Sequence, residues 1–116
     1  MKLMNKLVLS IALLTTPIFA FAEVIEIASF TLNKGVTFQE FAAIDKTVEK
    51  EHVKLQPGFI SRETAKGENG EWLVVVHWET LKDADASMNS FMQAKAANTF
   101  MSKINTSTMN MKRYTK

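Results

Sequence analysis

The stretch Glu71–Glu79, EWLVVVHWE, constrains the fold more than any other part of this chain. Successive side chains of a strand point to opposite faces. Trp72, Val74, Val76 and Trp78 therefore share one face, and Leu73, Val75 and His77 share the other. Both faces are apolar. A sheet with helices on one side and water on the other alternates apolar with polar residues. This strand instead belongs to a sheet covered on both sides. The simplest second cover is the same face of another copy, a C2 homodimer through the sheet.

The surrounding pattern gives the rest of the domain. Val24–Leu32 is β-rich and ends at the turn Asn33-Lys34-Gly35, so it is strand 1. Thr37-Phe38-Gln39-Glu40 has the form of a capping box, which opens a helix running to about Leu55. The apolar stripe of that helix is Phe38, Phe41, Ile44, Val48 and Leu55. Pro57 and Gly58 stop it. Phe59–Lys66 is strand 2, and Gly67-Glu68-Asn69-Gly70 is a tight hairpin loop. Strand 3 is Glu71–Glu79. A second helical region follows from Thr80, with Ala84, Met88, Phe91, Met92, Ala96, Phe100 and Ile104 at helical spacing and a break expected at Asn89-Ser90. Thr106–Thr115 alternates as strand 4. The order βαββαβ is an α+β, ferredoxin-like arrangement: an antiparallel four-stranded sheet with its helices on one face.

The first residues stand apart from this domain. Lys2 and Lys6 precede the short apolar run Leu7–Leu14, Pro17 follows, and Ala20-Phe21-Ala22 fits an A-x-A cleavage site. The run is shorter than the roughly 20 residues a membrane span needs. Residues 1–22 read as a signal peptide and 23–116 as the exported domain. The chain has 14 basic and 12 acidic residues. Loss of Lys2 and Lys6 leaves 12 of each, so the domain is formally neutral. It has no basic patch for nucleic acid or for a membrane surface after cleavage. Cysteine is absent, which excludes disulfides, thiolate metal sites and a cysteine nucleophile.

Several of these residues carry a resemblance. The βαββαβ order, Pro57-Gly58-Phe59 opening strand 2, the Ile60-Ser61-Arg62-Glu63 that follows, and Trp78-Glu79-Thr80 before an Ala-rich helix resemble antibiotic biosynthesis monooxygenase (ABM) domains. These belong to the dimeric α+β barrel superfamily. The resemblance implies two sheets packed face to face, a ligand cleft between helices and sheet in each subunit, and a periplasmic destination for a member with a signal peptide. Members include cofactor-independent oxygenases of aromatic or quinol substrates and haem-degrading enzymes. Many ABM enzymes resemble one another in an acid two residues before the strand-3 tryptophan, where this chain has Val76. Many also carry a histidine on the second helix, where it has Ser87-Met88-Asn89. The positions matching the haem-degrading set hold Ala28, Ser87 or Met88, and Asn98.

Proton transfer has few players here, because the chain has two histidines. His52 shares a helical face with Val48 and Asp45, which makes a cleft histidine near a carboxylate or simply an amphipathic residue at the stripe edge. His77 lines either the cleft or the partner-facing side of strand 3, and parity leaves both assignments open. Trp78, Met88, Phe91 and Met92 offer walls for a flat ligand, with Asp45 beside them. The methionines raise Cu(I), a soft ion that thioethers select. Their helical and strand spacing, however, assigns them to adaptable core packing rather than to a metal. Two histidines make no zinc set. The reading is an exported ABM-like homodimer that binds a small hydrophobic or aromatic molecule and needs no cofactor or metal. It acts as a cofactor-independent monooxygenase with His52 or His77 as base. The alternative is a non-catalytic ligand-binding or structural homodimer, with haem binding further off.

Overall fold

The computed structural model describes residues 22–116. The expected signal peptide, residues 1–22, lies outside the described residues except for Ala22. The elements run β1 (Val24–Leu32), α1 (Phe38–Glu51), a 3-10 turn (Val53–Leu55), β2 (Phe59–Lys66), β3 (Glu71–Trp78), α2 (Leu81–Phe91), α3 (Lys95–Ser102) and β4 (Ile104–Thr115). The four strands form one antiparallel sheet in the order β2-β3-β1-β4. This is the ferredoxin-like α+β arrangement, with β3 and β1 at the centre.

Burial resolves the two faces of β3. Trp72, Val74, Val76 and Trp78 are all buried beneath the helices. Leu73, Val75 and His77 are half-buried on the other face. Ile25 and Ile27 of β1 lie across from His77 and Val75 on that same side. The helix side is closed by an aromatic cluster. Phe41 of α1 meets Trp72 at 5.2 Å and Phe100 at 5.0 Å between ring centroids, and Phe30 meets Phe41 edge-on at 5.8 Å. Edge-to-face pairs at such distances add to the stabilisation from area burial.

Four local expectations are corrected. α1 stops at Glu51 and tightens into the 3-10 turn, which swings Leu55 off the apolar stripe and leaves it 70 % exposed. Only half of the capping box forms: Thr37 Oγ1 accepts from the Glu40 amide at 3.1 Å, while the Glu40 carboxylate pairs with Lys103 Nζ at 3.2 Å. The second helical region breaks at Met92–Ala94 and not at Asn89-Ser90, where the Ser90 hydroxyl donates back to the Ser87 carbonyl at 3.0 Å and sits within the helix. β4 begins at Ile104, which pairs with Leu32 past a register shift in β1. The helical spacing of Ile104 is coincidental: it is a buried strand residue.

Candidate functional site: a cavity over the sheet

The helix-facing side of the sheet is not fully filled. A cavity of about 110 Å³, partly open to solvent, lies between the sheet and the helices. Its floor is Ala28 and Phe30 of β1, Val74, Val76 and Trp78 of β3, and Met109 and Met111 of β4. Ser87, Met88, Phe91 and Met92 come from α2 and its C-cap, and Phe100 and Met101 from α3. All five methionines of the described residues line it, and none of their four leucines does.

One polar row crosses this apolar floor. The strand register sets Arg62 of β2, Val76 of β3, Glu26 of β1 and Arg113 of β4 side by side. With neighbouring strands about 4.8 Å apart, Arg62 and Glu26 stand about 10 Å from each other across Val76. The Arg62 side chain is 3 % exposed and makes two parallel bonds of 2.7 Å to the Asp45 carboxylate on α1, with Glu49 at 3.5 Å. Glu26 is also buried, and its Oε2 accepts from Arg113 Nε at 2.7 Å. Arg113 donates further to Asp85 and to the Ala84 carbonyl. Burial lowers the Arg113 pKa, but its bonds to Glu26 and Asp85 outweigh this and the net shift is upward. The guanidinium therefore stays charged against Glu26. Glu26 Oε1 has no donor among the described residues.

The residues expected to line the cleft fall into two groups. Trp78, Met88, Phe91 and Met92 line the cavity. Asp45 does not, but it clamps Arg62, which does. Neither histidine is among the lining residues. His52 caps the C-terminus of α1, its ring is 5.8 Å from Phe91, and its Nε2 is 3.1 Å from Ser90 Oγ. His77 lies on the opposite face of the sheet, because it alternates with the cavity-facing Val76 and Trp78. Its Nδ1 is 3.0 Å from Glu23 Oε2. Glu26, Arg62 and Ser87 went unread as site residues. The available signal was a carboxylate between Val24 and Ala28 on the helix-facing side of β1. The indole nitrogens of Trp72 and Trp78 are buried without an acceptor among the described residues, each at a cost of about 1–3 kcal/mol.

Across the sheet from the cavity, Glu23 is held below its ordinary carboxyl value of 4.5 by hydrogen bonds from Lys116 and then His77. A depressed carboxyl gives stability that is full above its unfolded value and is lost as pH falls through its folded value. The Glu23→Gln variant should therefore show a smaller drop in melting temperature than the native chain on acidification below 4.5. Parallel melting curves of the two proteins check this.

Comparison with solved structures fits the architecture. SnoaB, a cofactor-independent oxygenase from Streptomyces nogalater, superposes with a TM-score of 0.66 at 15 % identity, over 82 % of this chain and 93 % of that one. A candidate antibiotic biosynthesis monooxygenase from Bordetella bronchiseptica gives 0.67 at 16 % identity, over 82 % and 97 % of the two chains. A second such candidate, from Chloroflexus aurantiacus, gives 0.61 at 12 % identity, over 82 % and 93 %. The chain has the fold of an ABM domain. In sequence, no family model and no curated protein matches it. Val76 lies beside Glu26 of β1 in register. Ala28, Ser87 and Met88 line the cavity, and Asn98 does not.

Proposed function

We propose that the cavity binds a small aromatic molecule bearing a hydroxyl group, and that Glu26 accepts its proton. The observation that carries this reading is a single buried carboxylate in a mostly apolar, methionine-rich lining whose other polar side chains are Arg62, clamped to Asp45, and Ser87. The cavity of about 110 Å³ is partly open to solvent and smaller than the apolar cavity of about 150 Å³ that holds benzene, so one ring, with part of it at the open mouth, is the largest ligand it takes. Glu26 lines the cavity and His52 and His77 do not, so this reading gives the proton-accepting role expected of a histidine to Glu26. Arg113 fixes one Glu26 oxygen and leaves the other for the ligand. Exclusion of water strengthens that contact.

The reaction this supports is cofactor-independent monooxygenation. Glu26 draws the hydroxyl proton from the substrate, and the ring carbon that carries the resulting negative charge adds O2. Glu26 returns the proton to the peroxide anion. The hydroperoxide then loses water, taking the hydrogen still on that carbon, to leave a carbonyl. One oxygen atom enters the product and the other leaves as water.

Glu26→Gln keeps the shape and the bond to Arg113 but cannot take a proton. Oxygen uptake with a panel of single-ring phenols and quinols should fall by about 100-fold or more, with ligand binding retained. Binding without uptake in the native protein would favour the non-catalytic alternative. Equal uptake in both proteins would refute Glu26 as the base.

The same reading pairs two copies through the open sheet face, where Ile25, Ile27, Leu73 and Val75 are half-buried and Tyr114 is 51 % exposed. Light scattering should give the mass of two chains at micromolar concentration, and a single-chain mass would contradict the pairing. The positive n-region and A-x-A site support export to a bacterial periplasm. N-terminal sequencing of the exported protein should begin at Glu23.

A further inference from the structure

We infer that the cavity is also a thioether site for a soft monovalent cation, Cu(I). Two observations support it independently of the aromatic-ligand reading. The first is convergence. Met109 and Met111 alternate along the cavity face of β4, Met88 and Met92 stand one helical turn apart at the end of α2, and Met101 reaches the same space from α3. These five residues lie on three elements, and the fold brings every methionine of the described residues to one cavity.

The second observation is the choice of side chain. Apolar packing is ordinarily served by leucine, the commoner core residue with better-defined rotamers, with methionine as an occasional gap-filler. Leucine occurs at four described positions, none of them in the lining. What methionine adds is a polarizable sulfur lone pair. Thioethers are soft ligands that select Cu(I). They do not close into disulfides, so they remain available in an oxidising compartment. Among the described residues there is no group of three His, Asp or Glu that could hold a harder ion.

Charge and access are compatible with this. The charged residues lining the cavity are Glu26 and Arg62, one of each sign, so the lining carries no net charge to repel a monovalent cation. Met92 is 59 % exposed and Met111 39 % exposed, which gives an ion a route in from solvent. Met88, Met101 and Met109 are half-buried further inside.

The test is an anaerobic titration of the purified protein with Cu(I) against a chromogenic Cu(I) chelator. It is paired with Ag(I) titration followed by the 13C-methyl signals of the methionines. The protein should withdraw one Cu(I) per chain, and the cavity methyl signals should shift with Ag(I). A Met88→Leu, Met101→Leu, Met109→Leu variant keeps apolar volume and should lose at least about tenfold in Cu(I) affinity. The native protein is titrated with a single-ring phenol in parallel, without metal, so failure of the metal site and failure of the aromatic-ligand reading show separately. Circular dichroism and a thermal melt confirm that the leucine variant is folded. No withdrawal from the chelator would overturn the inference. So would Cu(I) held equally well by the leucine variant, or methionine methyl signals unmoved by Ag(I).

Discussion

Arg62→Ala should destabilise the fold by about 3–5 kcal/mol, because it leaves a charge buried without its partner. The Asp45 side chain is 6 % exposed and both its oxygens accept from Arg62 at 2.7 Å. Removing the guanidinium strands this carboxylate between α1 and β2. Glu49, at 3.5 Å from Arg62, loses a cation at the same time. For a domain of this size the loss is a fall in melting temperature of about 12 °C or more. Replacing both partners, Asp45→Leu with Arg62→Met, should recover most of it, since an apolar pair of similar volume removes the stranded charge. Urea titrations of the three proteins read the difference. A single Arg62→Ala variant within about 1 kcal/mol of the native chain would show that water reaches Asp45 and that the row is not sealed.

The second large effect is at Gly58, in the Pro57-Gly58-Phe59 stretch that carries the family resemblance. Its φ is +81°, in the left-handed region. A Cβ there would lie 2.1 Å from Asp83 Oδ2, 2.3 Å from Cγ and 2.6 Å from Cβ. Asp83 belongs to the first turn of α2, where its amide donates to Thr80 Oγ1 and its carboxylate accepts from that hydroxyl. The Gly58 carbonyl meanwhile accepts from the Glu79 amide at 2.8 Å. Gly58→Ala must therefore push β2 and α2 apart at the edge of the cavity roof. The expected cost is about 2–5 kcal/mol, from backbone strain and overpacking together. Gly35 is the control. Its φ is +91°, but nothing lies within 4 Å of its added Cβ, so Gly35→Ala should cost only about 1–2 kcal/mol. Asp83→Ala should not rescue Gly58→Ala, because the Asp83 Cβ is itself in the way, whereas Asp83→Gly should rescue part of it. Equal losses at Gly35 and Gly58 would mean that the overlap is relieved at no cost.

Much of the fold could be read in the sequence because local signals agreed with the tertiary outcome. β1 and β2 fall where alternation and turn residues put them, and Asn69 and Gly70 take the positive φ their loop needs. The break before α3 could not be read. Ala94 is its N-cap with no side-chain bond, so no capping residue marks the start. Ser90 looked like a breaker but turns its hydroxyl inward to its own helix. The candidate site was half legible. Trp78, Met88, Phe91 and Met92 follow from periodicity once a cleft is assumed. The polar row does not, because Glu26, Arg62 and Arg113 are far apart in the chain and meet only through strand register. His77 turned on the orientation of one strand, which two equally apolar faces concealed. Burial of Trp72 and Trp78 beneath the helices settles it.

The central claim is that the cavity over Val76 receives a small hydroxylated aromatic ring. It is tested most directly by 13C-methyl methionine NMR during titration with a single-ring phenol. The cavity methionines should shift together and saturably, while the imidazole signals of His77, on the far face of the sheet, stay in place. Unmoved methionine signals, or saturable shifts centred on His77 and Tyr114, would contradict it.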